Sequence, residues 1–196
     1  MIGDMKIYEV ELKAILKDGQ IEDIEKILEN TYKCNPEICV YHDTYFDTIN
    51  KDLLKSEKEL RLRKITIAQT EKVLLTYKEP PFENISKSKI EHEIRVSSSK
   101  EASIILGHLG YIEDISFQKE CTNFHVSYRA FEILVTLVKM RELEQDFIEA
   151  EVLTDDIDAI TQVKEVLHEF LSLLNITPKQ LTNEYYTDMV RHARSQ

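Results

Sequence analysis

Residues Tyr8–Leu16 read YEVELKAIL. One parity carries Tyr8, Val10, Leu12, Ala14 and Leu16, and the other carries Glu9, Glu11 and Lys13. Successive side chains leave a β-strand on opposite faces, so a period of two marks this stretch as a strand. The same alternation predicts strands near Ile38–Asp47, Lys58–Ile67, Glu71–Lys78, Ser88–Ser97, Ile115–Ser127, Phe131–Lys139 and Asp146–Leu153. Ile21–Asn30 and Asp155–Asn175 instead place their apolar residues at helical spacing. Ser99–Leu109 reads as a short helix, capped by a serine and stopped at Gly110. Thr177-Pro178 predicts the start of a last helix, with Thr as cap and Pro as first helical residue. About eight strands with a few helices predict an α+β fold built on a mostly antiparallel sheet.

Composition narrows the function classes. The 196 residues carry 25 Lys+Arg and 36 Asp+Glu, for a net charge of −11. That balance argues against a broad nucleic-acid face, whose footprint is basic. At 42% hydrophobic and 31% charged, the chain suits a folded domain and not a disordered one. No apolar run approaches the ~20 residues of a membrane span, and MIGDMKIYEVELK lacks the apolar stretch of a signal peptide. Cys34, Cys39 and Cys121 can neither pair fully nor form a CxxC zinc motif, so a reducing, cytoplasmic setting is expected. Neither a GxxxxGK[ST] phosphate loop nor a GxSxG nucleophile turn is present. The six histidines show no HxxxH spacing, which favours surface or packing roles over metal ligation.

Strand parity sorts the charges onto one face. Glu9, Glu11 and Lys13 share it, as do Arg61 with Arg63, Lys72 with Lys78, Lys89 with Glu91, Glu93 and Arg95, and Glu149 with Glu151. Lys119 joins the set. It holds eight basic and six acidic side chains, so this face is expected to be locally basic within an acidic protein. One reading is a one-sided sheet with its charged face in water. The other is a sheet closed on itself with the charges inside, which would need ligands to offset their burial. Clustered carboxylates repel unless protonated or bridged, and such oxygen ligands suit Mg²⁺ or Mn²⁺. The Arg and Lys set suits phosphate oxygens. Together they describe a metal–polyphosphate site.

Several segments resemble, in order, those of the CYTH superfamily, the triphosphate tunnel metalloenzymes. YEVELK is similar to the family's ExExK signature. YHDTYFDT (Tyr41–Thr48) and DLLKSEKELRLRK (Asp52–Lys64) are similar to its next two strands. VLLTYKEP (Val73–Pro80) resembles its lysine-bearing strand, and SKSKIEHEIRV (Ser86–Val96) its R-x-E-x-E strand with Lys89 in place of Arg. FIEAEV (Phe147–Val152) resembles the late ExE strand, and NEYYTDMV (Asn183–Val190) the closing helix, in which Tyr185 and Tyr186 are expected to pack against the barrel.

The resemblance implies one CYTH domain over residues 1–196, with its core about 6–190. Its fold is an eight-stranded antiparallel closed β-barrel, a triphosphate tunnel, with flanking helices and a C-terminal helical pair. It implies Mg²⁺ or Mn²⁺ held by Glu9, Glu11, Glu91, Glu93, Glu149 and Glu151. Glu9, Glu11 and Lys13 form its catalytic set. Lys13, Arg61, Arg63, Lys72, Lys78, Lys89, Arg95 and Lys119 complete the triphosphate cradle. The ligand is a small-molecule triphosphate such as ATP, tripolyphosphate or thiamine triphosphate, and family members are often homodimers. The opening sequence is most like class IV adenylate cyclase, which converts ATP to cyclic AMP and pyrophosphate. A triphosphatase and a non-catalytic triphosphate- or nucleotide-binding module are the alternatives. Two positions depart from the family pattern. Lys119-Glu120-Cys121 has Cys where Lys-x-Arg is usual, and LVKM (Leu137–Met140) has Val138 or Lys139 in place of an Asp. Losing one phosphate fork and one acid would shift substrate preference, or leave a weak enzyme or a pure binder.

Overall fold

The computed structural model describes residues 7–81 and 89–196. Ser86–Ser88, the residues before Ile7 and the start predicted for the Ser88 strand lie outside the described residues. Eight strands run β1 (Tyr8–Ile15), β2 (Glu37–Asp47), β3 (Glu59–Ile67), β4 (Thr70–Lys78), β5 (Lys89–Val96), β6 (Ile112–Tyr128), β7 (Phe131–Lys139) and β8 (Phe147–Thr154). They close into an antiparallel barrel in the order β1-β5-β4-β3-β2-β6-β7-β8. Among the described residues five helices flank it: α1 (Gln20–Asn30), the one-turn α2 (Asp52–Lys55), α3 (Ser99–His108), α4 (Ile160–Leu173) and α5 (Tyr186–Arg194).

Closure turns the charged parity inward, because the apolar parity has helices to pack against. Val10, Ala14, Ile148, Ala150 and Val152 of β1 and β8 pack under Ile21, Ile24 and Leu28 of α1 and under Val163, Leu167, Phe170 and Leu171 of α4. Leu60, Leu62 and Val73 pack under Ala102 and Leu106 of α3. That helix begins as expected, with Ser98 accepting from the Glu101 amide at 3.2 Å, and stops before Gly110 at φ 93°. The left-handed turn at Gly110 is strain-free only for glycine.

The last helix starts later than Thr177-Pro178 predicts. Thr177 and Gln180 form a capping box, but around a single 3₁₀ turn, Pro178–Gln180. The chain then leaves helical conformation to stitch the barrel. Among the described residues β1 meets β5 only at Tyr8↔Ile90 and Glu9↔Lys89. The remaining edge of β1 is taken by the tail: Leu181 bridges Ala14, and the Thr182 amide donates to the Lys13 carbonyl at 2.9 Å. From there α5 enters the barrel. Its Tyr186, Met189 and Val190 pack on inward-facing Cys39, Ile65, Phe117, Cys121, Val138 and Phe147. Asp114 fastens it by ion pairs to Arg191 of α5 and to Lys51.

Phe170 measures how much the α4 cover matters. It is fully buried between Tyr32 and Tyr128, with ring centroids 5.5 and 5.4 Å away. Phe170→Ala is expected to cost about 3–5 kcal/mol in urea denaturation, as large-to-small core changes do.

Candidate active site

The barrel interior holds a cavity of about 520 Å³. It is lined by Glu9, Glu11, Lys13, Arg61, Arg63, Lys72, Lys78, Lys89, Glu91, Glu93, Lys119, Glu149 and Glu151, all of them charges that parity placed on one face. Arg95 is the exception. It is exposed and off the cavity wall, and among the described residues the half of β5 that carries it has no partner in β1. Lys72 is also exposed, at the cavity edge.

The acids converge on the β1/β8 ladder. Glu11 stands opposite Glu151, and Lys13 opposite Glu149. Glu9, Glu11 and Glu151 each bring one carboxylate oxygen within 4.8 Å of the others. Three carboxylates so close cannot all stay ionised without a counter-charge. Burial, with Glu149 and Glu9 beside it, pushes the Glu11 pKa up to about 7. Burial, then Glu9 and Glu11, push Glu151 well above the usual carboxylate range. A purely oxygen donor set of this kind fits a hard divalent cation such as Mg²⁺ or Mn²⁺, which would stand where the protons now do. Glu149 lies outside this trio, with its Oε1 3.6 Å from Lys119 Nζ. Glu93 is exposed and accepts from Thr76 Oγ1 at 2.8 Å.

Most of the cations are already engaged. Lys78 pairs with both Glu9 and Glu91, the latter at 3.0 Å. Lys89 pairs with Glu59. Lys13 donates to the Glu184 carbonyl and lies 4.2 Å from the centre of the Tyr186 ring. Burial lowers its pKa against the pull of Glu11 and Glu149. Arg63 is gripped bidentately by Asp43, Nε to Oδ1 at 2.6 Å and Nη2 to Oδ2 at 2.7 Å. Although burial opposes it, this fork holds the Asp43 carboxyl well below its usual range. Arg61 differs. It is 8% exposed, and its buried Nε has no hydrogen-bond partner. Among the described residues no carboxylate lies within ion-pairing distance of it. Asp43 and Glu91 favour its charge from beyond that distance, so its unpartnered Nε is open to an anionic ligand.

The structure corrects the charge balance expected of this face. Eleven acidic and nine basic side chains line the cavity, so it is not locally basic. Glu59 and the acids at the mouth (Asp47, Glu57, Asp114 and Asp188) tip the count. Glu59 was legible, since it precedes Arg61 by two residues on the same parity. Asp43 shares a parity with Tyr41 and Tyr45, but only the register Asp43↔Arg63 reveals its role. The sequence predicts a packing role for Tyr186. It does pack, edge-on to Phe147 at 5.2 Å, yet it also forms cavity wall against Lys13 and Lys119. No strand pattern carries that signal, because α5 brings Tyr186 in. The two departures fall together. Cys121 and Val138 are register partners, face inward, are 2% and 0% exposed, and do not line the cavity. Lys139 points outward, toward Glu22 and Asp146.

Two measurements follow from these charges. Folded Glu11 keeps its proton to about pH 7, whereas an unfolded glutamate loses it near ~4.3. Between those values the folded metal-free chain binds more protons. The Glu11 contribution to stability is therefore full below ~4.3 and is lost as pH rises through about 7. Melting temperatures in EDTA should fall across that window, Glu11→Gln should flatten the fall, and Mn²⁺ should offset it at the upper end. Asp43 has the opposite sign, with its contribution present above ~3.9 and lost only in stronger acid. Asp43→Ala strands the buried Arg63 charge and should cost about 3–5 kcal/mol by chemical denaturation.

Comparison with known proteins agrees with this architecture. The family model described as CYTH domain matches residues 8–186. A protein of Methanocaldococcus jannaschii named "Putative adenylate cyclase MJ0240" is 26% identical over 186 residues, covering 93% of this chain and 98% of its own. The solved structure of PH1819 from Pyrococcus horikoshii superposes with a TM-score of 0.81 at 25% identity, over 94% of this chain and 98% of that one. HpAC1 from Hippeastrum, described as revealing a dominant triphosphatase activity, superposes at 0.67 with 15% identity, over 95% of each chain. The barrel, its inward carboxylates and the match over residues 8–186 together make this chain a member of the CYTH family.

Proposed function

We propose that this chain is a divalent-metal-dependent enzyme acting on a triphosphate, with ATP cyclisation to cyclic AMP and pyrophosphate as its reaction. The observation that carries the metal–triphosphate reading is the pairing, inside one cavity, of the Glu9–Glu11–Glu151 cage with Arg61, whose buried Nε has no hydrogen-bond partner. The name of the Methanocaldococcus relative favours cyclisation.

Glu9, Glu11 and Glu151 would hold Mg²⁺ or Mn²⁺, with Glu149, Glu91 and Glu93 along the same wall. The chemistry such an ion supplies is neutralisation of oxygen charge as the P–O bond breaks and activation of the attacking hydroxyl. The chain's own contribution is placement. Arg61 takes a phosphate oxygen without breaking a native ion pair. Arg63, its fork fixed by Asp43, presents its remaining N–H groups in one orientation. Lys13 and Lys119, held against the Tyr186 ring at 4.2 and 4.5 Å, add charge beside the cage. Cations fixed before the reaction stabilise developing oxyanion charge without the cost of reorganising. Cys121 and Val138 lie off the cavity wall and add no group to this cradle.

Hydrolysis uses the same cradle with water as nucleophile, and the Hippeastrum protein of this fold is described as a triphosphatase. A ³¹P NMR time course with Mg²⁺, ATP and tripolyphosphate separates the outcomes, with Glu9→Gln as control. Pyrophosphate and a cyclic phosphodiester signal growing from ATP is the expected result, abolished by Glu9→Gln. Orthophosphate growing instead would replace cyclisation by triphosphate hydrolysis. Both substrates surviving would overturn the enzymatic reading in favour of a binding module.

A further inference from the structure

Lys78 occupies an unusual place. Its ammonium pairs with Glu9 and with Glu91 Oε2 at 3.0 Å, and its side chain is 12% exposed. Glu9 is also one of the three carboxylates of the cage. The other engaged cations are tied to carboxylates outside that trio: Arg63 to Asp43, Lys89 to Glu59 and Lys119 to Glu149. An ion entering the cage therefore competes with Lys78 and leaves the other pairs intact. Carboxylate oxygens shared between an ammonium and a divalent ion cannot serve both at full strength, because the two cations repel at that range.

We propose that Lys78 is the resident cation of the carboxylate cage in the metal-free protein, and that a divalent ion displaces it into the cavity, where it becomes a phosphate ligand. The inference rests on the metal–triphosphate reading above and adds to it a switch: metal entry is what frees the lysine. Metal-free protein leaves the Arg61 Nε without a hydrogen-bond partner but holds Lys78 back. Binding of metal and of triphosphate is then mutually favourable, and by linkage each tightens the other by the same factor.

The test is calorimetric titration of Mn²⁺ into native, Lys78→Met and Arg61→Met proteins, each checked for folding by circular dichroism. Tripolyphosphate is titrated separately with and without Mg²⁺. Both variants remove one buried positive charge, but only Lys78→Met removes a competitor for Glu9. The expected result is Mn²⁺ binding at least about tenfold tighter in Lys78→Met, with a clearly smaller change in Arg61→Met. Tripolyphosphate should bind native protein about tenfold tighter with Mg²⁺ than without it, and Lys78→Met should lose most of that gain. Equal tightening in both variants would reduce the effect to the general field of the cavity and overturn the proposal. Unchanged or weaker Mn²⁺ binding in Lys78→Met, with native binding intact, would overturn the switch while leaving the metal site standing. Binding by Lys78→Met alone would uphold the occupancy of the cage but remove the metal-dependent reading of the native chain. Binding by neither protein would remove both. Should Lys78→Met fail to fold, acetylation of native protein followed by mass spectrometry serves instead. Lys78 labelling should rise several-fold with Mg²⁺ and fall again with tripolyphosphate, and a rate indifferent to Mg²⁺ would count against displacement.

Discussion

Ionised side chains facing one another inside a closed sheet are stable only if each meets an opposite charge. Desolvation of a lone ion costs several kcal/mol, more than any single packing contact returns. The interior of this barrel obeys that constraint pair by pair: Arg63 with Asp43, Lys89 with Glu59, Lys119 with Glu149, and Lys78 with Glu9 and Glu91. What remains unbalanced defines the site. Among the described residues neither Glu11 nor Glu151, facing each other across the β1/β8 ladder, has an ion pair, and the buried Nε of Arg61 has no hydrogen-bond partner. The surplus of each sign sits in one cavity, ready for ligands of the opposite sign.

The helices make this arrangement possible. Both faces of an isolated sheet would be wet, and its charged face would simply be solvated. Here α1, α4 and α3 cover the apolar parity, so closure leaves the charged parity nowhere to go but inward. One end of the interior is filled by apolar side chains from α5 and the strands it meets, and Cys121 and Val138 belong to that filling. Had either been charged alone, its partner across the ladder would have been a buried apolar residue. Changed together, they leave no orphan.

Alternation made most of the strands and most of the site legible. Glu9, Glu11, Lys13, Arg61, Arg63, Glu149 and Glu151 lie where period two places them, because a strand has only two faces and one was apolar. Arg95 shows the limit of that logic. Parity gives the face of a residue but not whether the neighbouring strand is there to enclose it, and among the described residues β1 meets β5 only at Tyr8 and Glu9. The same limit hid Asp43, whose meaning depends on which strand lies alongside. The late start of α5 escaped for another reason. Thr177-Pro178 does initiate a helical turn, but propensity cannot see that the edge of β1 needs Leu181 and Thr182 more than the helix does.

That stitched edge ties folding to chain order. Gln180 Nε2 reaches the Ile15 carbonyl across 165 residues of sequence, and Leu181 and Thr182 close on Ala14 and Lys13 beside it. Closing a loop of that length carries an entropic cost that only late, collective contacts can offset. Until those contacts form, the edge of β1 beside Ala14 and Lys13 has no partner from the tail. The cavity wall at Tyr186 is complete only once α5 has docked.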